Sequence, residues 1–220
     1  MKKMIVIIIF LLIIFISMVI YKNSLAKSEV TVEEINKIEE YMDKIYSYKE
    51  ITGVSLPEFD NTENADKKWI WGIVRKNIDD YEIDKTKLQT TINKLFGESL
   101  NNEFVNEETE FIKYNDEKQK YITKELQIDA IKDSFYIQKI EKEKDTYLVK
   151  IVEYIVDYTD EKVVKIKNLQ DEVIKELPEK QATEEKITEV VKENLDKFSK
   201  KQVTLEIENE KLVIKKVVKD

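Results

Sequence analysis

"TYLVKIVEYIVDY", Thr146 to Tyr158, decides how this chain is read. Tyr, Val and Ile dominate it, and such β-branched and aromatic side chains suit a pleated, packed surface. It is long and apolar on both faces in places, the pattern of a strand in the middle of a sheet. The preceding Ser134 to Glu141 has the same texture, and "KEKD" between them serves as a hairpin loop. Further on, Val163, Ile166, Leu169, Val173 and Leu177 recur at three to four residues, which predicts a helix over Asp160 to Leu177 broken by Pro178. Thr183 caps another helix that turns Ile187, Val190, Val191, Leu195 and Phe198 inward. The chain closes on a second hairpin, Val203 to Glu208 and Lys211 to Val218, around Asn209-Glu210.

Upstream the period is helical. Thr31 and Glu34 have capping-box spacing, and Val32, Ile35, Ile38, Met42 and Ile45 then mark a helix from about Val32 to Glu50, with Tyr41, Tyr46 and Tyr48 along it. Ser55 to Lys68 lacks periodicity and reads as a loop. Trp69, Ile70, Ile73, Val74 and Ile78 give a second helix. Asp84 caps a third, with Leu88, Ile92, Leu95 and Phe96 on one face and Gly97 as its stop. Short strands are expected at Phe111 to Tyr114 and Tyr121 to Thr123. Helices first and antiparallel hairpins later define an α+β domain in which helices pack on one face of a curved antiparallel sheet.

The first twenty-six residues are different. Met4 to Ile20 is an uncharged run whose one polar member is Ser17, preceded by Lys2 and Lys3 and followed by Tyr21 and Lys22. As a helix it is about 25 Å long, enough to span a bilayer when the flanking lysines snorkel. The lysines at its start hold that end in the cytoplasm, so the rest of the chain is exported. A retained single-pass anchor in the cell membrane is the first expectation; secretion after cleavage at Ala26, the end of a small-x-small site, is the alternative. The organisation expected is thus a signal anchor or signal peptide over 1–26, a juxtamembrane helix over 27–56 and an extracytoplasmic α+β domain over 57–220.

Composition excludes much chemistry. The formal net charge is -8, and the first 26 residues hold three lysines and no acid, which leaves 34 cations against 45 acids in the exported part. Such a surface repels phosphate backbones, and Arg75 is the sole arginine, so nucleic acid is not an expected partner. There is no cysteine and no histidine, so no disulfide, no thiolate, no zinc-thiolate site, and no Ser/His/Asp or Cys/His arrangement. Three scattered glycines, Gly53, Gly72 and Gly97, supply no phosphate cradle, so no nucleotide cofactor is expected, and none of any other kind.

An export helix, leading helices and long Tyr/Val-rich strands such as "TYLVKIVEYIVDY" and "VTLEIENEKLVIKKV" resemble small membrane-anchored extracytoplasmic proteins of low-GC Gram-positive bacteria, many of no known activity. From about Asp66 to Asp220 the pattern is also similar to the nuclear transport factor 2-like (cystatin-like) cone of helices on a curved sheet. The helical segments expected between Asp160 and Phe198 depart from that fold's run of consecutive strands. The resemblance implies a scaffold shared by enzymes, binders and secretion subunits, so it assigns no function by itself.

Candidate sites are few. Ser24 and Lys27 fit S-x-x-K without its companion motifs, and signal processing explains them better. Asp60 to Asp66 alternates oxygen donors like a calcium loop, but Ala65 stands where that loop needs Gly and Trp71 where it needs Glu, so no metal site is expected. Forty-five acids make carboxylate pairs common and uninformative. Trp69 and Trp71 lie about 200° apart on a helix, so one is expected at the surface, where Arg75 could stack on Trp71. Trp69, Trp71 and Arg75 therefore form the candidate interaction surface. The function expected is a non-enzymatic, membrane-anchored extracytoplasmic domain that binds an envelope protein or glycan. A secreted carboxylate-dependent hydrolase and an assembly subunit of a secretion or conjugation apparatus are the alternatives.

Overall fold

The computed structural model describes residues 29–47, 49–100, 109–126 and 130–220. Met4 to Ile20, the Ser24 to Lys27 motif and the Ala26 cleavage site lie outside the described residues. Among the described residues no helix is long and apolar enough to cross a membrane.

The architecture is α+β with antiparallel sheets. Helix α1 (Val32–Ile45) begins at the expected capping box, where the Thr31 hydroxyl accepts from Glu34 N–H while the Glu34 carboxylate accepts from Thr31 N–H. It ends at Ile45, ahead of the expected Glu50, and a separate helical turn, Lys49–Thr52, follows. Helix α2 (Lys67–Lys76) is capped by Asp66 and helix α3 (Lys85–Phe96) by Asp84. A small sheet of β1 (Glu82–Ile83), β2 (Ile112–Asn115) and β3 (Lys120–Thr123) follows in the order β1-β3-β2.

The main sheet is built on β4 (Ile131–Glu143) and β5 (Thr146–Asp157), paired along their whole length with a bulge at Ile137/Lys139. Two further hairpins complete it, β6 (Val163–Lys167) with β7 (Val173–Pro178), and β8 (Ser199–Glu208) with β9 (Lys211–Lys219). One edge of β5 carries β4. The other edge is divided: Thr146 to Glu153 pair with β8, then Ile155 to Asp157 pair with β6.

That fork explains the opening sequence. Over the first half of β5 alternate residues are buried; from Ile151 to Asp157 every residue is. One face meets a core of α1, α2 and α3, which includes Ile38, Met42, Trp69, Phe96, Val149 and Ile151. The other face, with Val152, Tyr154 and Val156, meets a smaller core under helix α4 (Glu184–Glu193), which supplies Ile187, Val190 and Val191. The sheet is therefore covered by helices on both faces, against the single covered face expected.

The helix expected over Asp160 to Leu177 is corrected to the β6-β7 hairpin. Val164 and Ile166 point inward with a period of two. The turn uses neither Gly nor Pro: the buried Asn168 side chain accepts from Gln170 and Glu172 N–H, and Asp171 adopts φ 64°. An Asn carboxamide that mimics a backbone turn leaves no break in the apolar spacing. At the last hairpin Asn209 and Glu210 both take positive φ, 49° and 66°, the backbone of a two-residue turn matched to strand twist.

Helix α1, set apart above as a juxtamembrane segment, belongs to the same core as the residues beyond 57. Its Tyr41 hydroxyl donates to Leu95 O at 2.5 Å and accepts from Ile214 N–H in β9 at 2.8 Å. Gly72 lets α2 press on the Lys49–Thr52 turn, since a Cβ there would lie 2.2 Å from Thr52 Cγ2.

Candidate functional site

Both tryptophans are enclosed: Trp69 is 0% exposed and Trp71 2%. A 200° separation puts one indole outside only when the helix has a solvent face, and α2 is buried from Trp69 through Val74. Trp69 packs between Phe59 and Phe96, each ring 5.7 Å away, and its Nε1–H donates to Ser55 O at 3.1 Å. The Arg75 guanidinium donates to Lys124 O and to Ile78 O, tying α2 to the end of β3. The surface expected at Trp69, Trp71 and Arg75 is core and bracing. Asp60 to Asp66 holds a short helical turn capped by Asn61, with Thr62 buried and donating to Ile214 O.

A different site emerges along β4. Its inner edge pairs with β5, and among the described residues no strand pairs with its outer edge. Two clefts border that edge. The larger, about 730 Å³, straddles Lys132 to Phe135. The other, about 640 Å³, runs along Ile137 to Lys142 beneath Val30 and Ile35.

Strand register assigns the larger cleft two flanks. Asp133 lies opposite Ile155, and the Phe135 ring packs at a tilt against Tyr46 with centroids 4.9 Å apart, so these side chains share the α1–α2 side with Asp43, Lys76 and Asn77. Ser134 lies opposite Tyr154 and Lys132 opposite Val156, and these share the α4 side with Glu184 and Thr188. The cleft is open where α1 ends: Lys76 Nζ donates to Asp43 O and Tyr46 O at 2.6 and 2.7 Å, and Asn77 Nδ2 donates to Lys44 O at 2.9 Å. Residues at the end of α2 thereby satisfy the orphan carbonyls of α1 and place a cation at its negative pole.

Beneath the α1–α2 flank is a buried polar cluster. Glu153, 0% exposed, takes the Lys201 ammonium on Oε2 at 2.9 Å and the Tyr46 hydroxyl on Oε1 at 3.1 Å. Lys201 also donates to Leu56 O. Burial raises the Glu153 pKa; Lys201 and Tyr46 pull it back, and Asp133 adds to the rise. Burial also pushes the Tyr46 phenol well above its ordinary value, with the Glu153 charge acting in the same direction. Farther out, burial raises the Asp43 carboxyl, Lys76 opposes, and Glu184 across the cleft reinforces. Burial lifts the Tyr154 phenol to about 12.

Asp133 stands out in this group. It is 7% exposed; its Oδ2 accepts from Lys49 N–H at 2.6 Å, and its Oδ1 has no hydrogen-bond partner among the described residues. Sequence reading missed this cleft because it forms only when β4, α1 and α4 meet, and neither Asp133 nor Tyr154 carries a local motif. The one sequence signal was the mixed face of "TYLVKIVEYIVDY".

No family model, no curated protein and no solved structure matches this chain.

Proposed function

We propose that this chain is a non-enzymatic, extracytoplasmic binding domain, held at the membrane by Met4 to Ile20, that takes up an extended segment of another envelope protein along the outer edge of β4. The observation that carries the reading is that edge, thirteen residues of β4 without a paired strand among the described residues and bordered by clefts of about 730 and 640 Å³. Unpaired backbone N–H and C=O groups along an edge strand recognise the same groups of an added strand, and flanking clefts receive its alternate side chains. The absence of His and Cys from the sequence favours binding over catalysis.

A photo-crosslinking residue at Ser134, in intact cells, tests this. A discrete crosslinked protein, lost when Thr188→Trp fills the cleft, is expected; a pattern unchanged by Thr188→Trp overturns the edge as the contact. Protease added to intact cells, expected to cut the domain, checks its location. A carboxylate-dependent hydrolase is the second reading, favoured by Asp43 and Glu184 lining one cleft, where the Glu184 charge helps to raise the Asp43 carboxyl. Turnover of cell-wall glycan abolished by Asp43→Asn would select it over the binding role.

A further inference from the structure

The larger cleft is short of positive charge, and the shortage can be located. Its carboxylates are Glu40, Asp43, Asp133 and Glu184. Of its three lysines, Lys44 is paired with Glu40, Lys76 is directed at the Asp43 and Tyr46 carbonyls, and Lys132 lies over the Tyr158 ring at 5.5 Å. None of these contacts answers Asp133 Oδ1, a carboxylate oxygen removed from solvent on a residue 7% exposed. A buried carboxylate oxygen left without a donor carries its desolvation cost uncompensated, so it is a place where an incoming donor gains what the free protein lacks. Tyr46 and Phe135 line the same cleft, and an aromatic lining favours a cation over a neutral donor.

We infer that the segment received along β4 presents a primary ammonium group, a lysine-type side chain, to Asp133 between the end of α1 and the Phe135 ring. This rests on the edge of β4 being the binding site. Compact ammonium geometry suits the place better than guanidinium, since one carboxylate oxygen lacks a donor while Lys49 N–H occupies the other, so a bidentate fork has one acceptor to meet.

The test uses the full-length protein in detergent micelles and two probes, Nα-acetyl-L-lysine methylamide and the uncharged Nα-acetyl-L-norleucine methylamide, followed by amide NMR. The lysine probe is expected to shift the Asp133, Ser134 and Thr188 signals saturably, with affinity at least tenfold above the norleucine probe. Asp133→Asn is expected to abolish that preference, and its melting temperature shows whether the fold is retained. Should Asp133→Asn unfold, Phe135→Leu in the folded protein must reduce the preference severalfold. Equal binding of the two probes, binding of neither, or a preference that survives Asp133→Asn overturns the ammonium inference. Thr188→Trp separates it from the edge reading: a crosslink at Ser134 still blocked by Thr188→Trp leaves the edge in place whatever the probes do.

Discussion

Replacing Lys201 with Met removes the cation from the buried Glu153 pair while it keeps most of the side-chain volume. Glu153 is 0% exposed, so no water replaces the 2.9 Å ion pair, and Leu56 O loses its donor in the same step. Breaking one side of such a pair costs about 3–5 kcal/mol. For a chain of this size that lowers the melting temperature by roughly 10 °C. The loss must depend on pH. Burial already holds the folded Glu153 pKa above its ordinary 4.5, with Lys201 the leading opposing influence, so removing Lys201 raises it further. A carboxyl raised in the folded state contributes fully at low pH and loses that contribution as pH rises through its folded pKa. The penalty of Lys201→Met is therefore near its maximum at pH 8. It shrinks as pH falls to 5, towards the cost of an imperfect hydrogen bond, about 1–3 kcal/mol, because the raised Glu153 carboxyl takes up its proton as pH falls through its folded pKa. Glu153→Leu combined with Lys201→Met recovers part of the loss, because no buried charge is then left unpaired and only the contacts to Leu56 O and from the Tyr46 hydroxyl stay unmade. Thermal and urea unfolding at both pH values read these differences. A single variant as stable as wild type at pH 8, or a loss of equal size at pH 5 and pH 8, refutes the reasoning.

Trp69→Ala empties the space between Phe59 and Phe96 and leaves Ser55 O without its indole donor, so a loss of about 3–5 kcal/mol is expected in urea unfolding. Gly97→Ala is destabilising by about 1–3 kcal/mol, because φ is 72° and the new Cβ meets Glu208 Oε2 at 2.5 Å and Val213 Cγ1 at 3.1 Å; a melting curve checks it. Asn168→Ala removes the acceptor that closes the β6-β7 turn and is expected to accelerate amide hydrogen exchange in β6 and β7 before it does so in β8. Hydrogen bonds from Lys142, then Thr31 N–H and the Tyr147 hydroxyl, depress the Glu34 carboxyl to about 2. Its stabilisation is full above 4.5, its unfolded value, and is lost as pH falls from there towards 2, so Glu34→Gln unfolds with a shallower acid dependence in that window.

What the sequence disclosed was mostly local. Thr31 with Glu34, Asp84 with Gly97, and Asn209-Glu210 mark their ends through chemistry that acts within four residues, and each structure forms where expected. Asn168 also acts locally, but its carboxamide closes a turn without a Gly or Pro to announce it, so a two-residue period under Val164 and Ile166 read as a helical one. Trp69 and Trp71 misled for another reason. Whether a helix has a solvent face depends on how many partners surround it, and α2 is enclosed by segments distant in the chain, among them Phe59 and Phe96. The candidate cleft was illegible for the same cause: Asp133 gains its meaning from Tyr46, Lys49 and Glu153, which only the fold gathers.

The hydrogen bond between the Tyr41 hydroxyl and Ile214 N–H joins α1 to β9 across 173 positions. A polypeptide synthesised with its amino end leading cannot make that closure until Ile214 has emerged. Until then the core that α1 shares with Ile214 and Val217 is incomplete, which leaves the interval of synthesis exposed to proteolysis and self-association. A cut between Asn209 and Glu210 would leave that wait without an end.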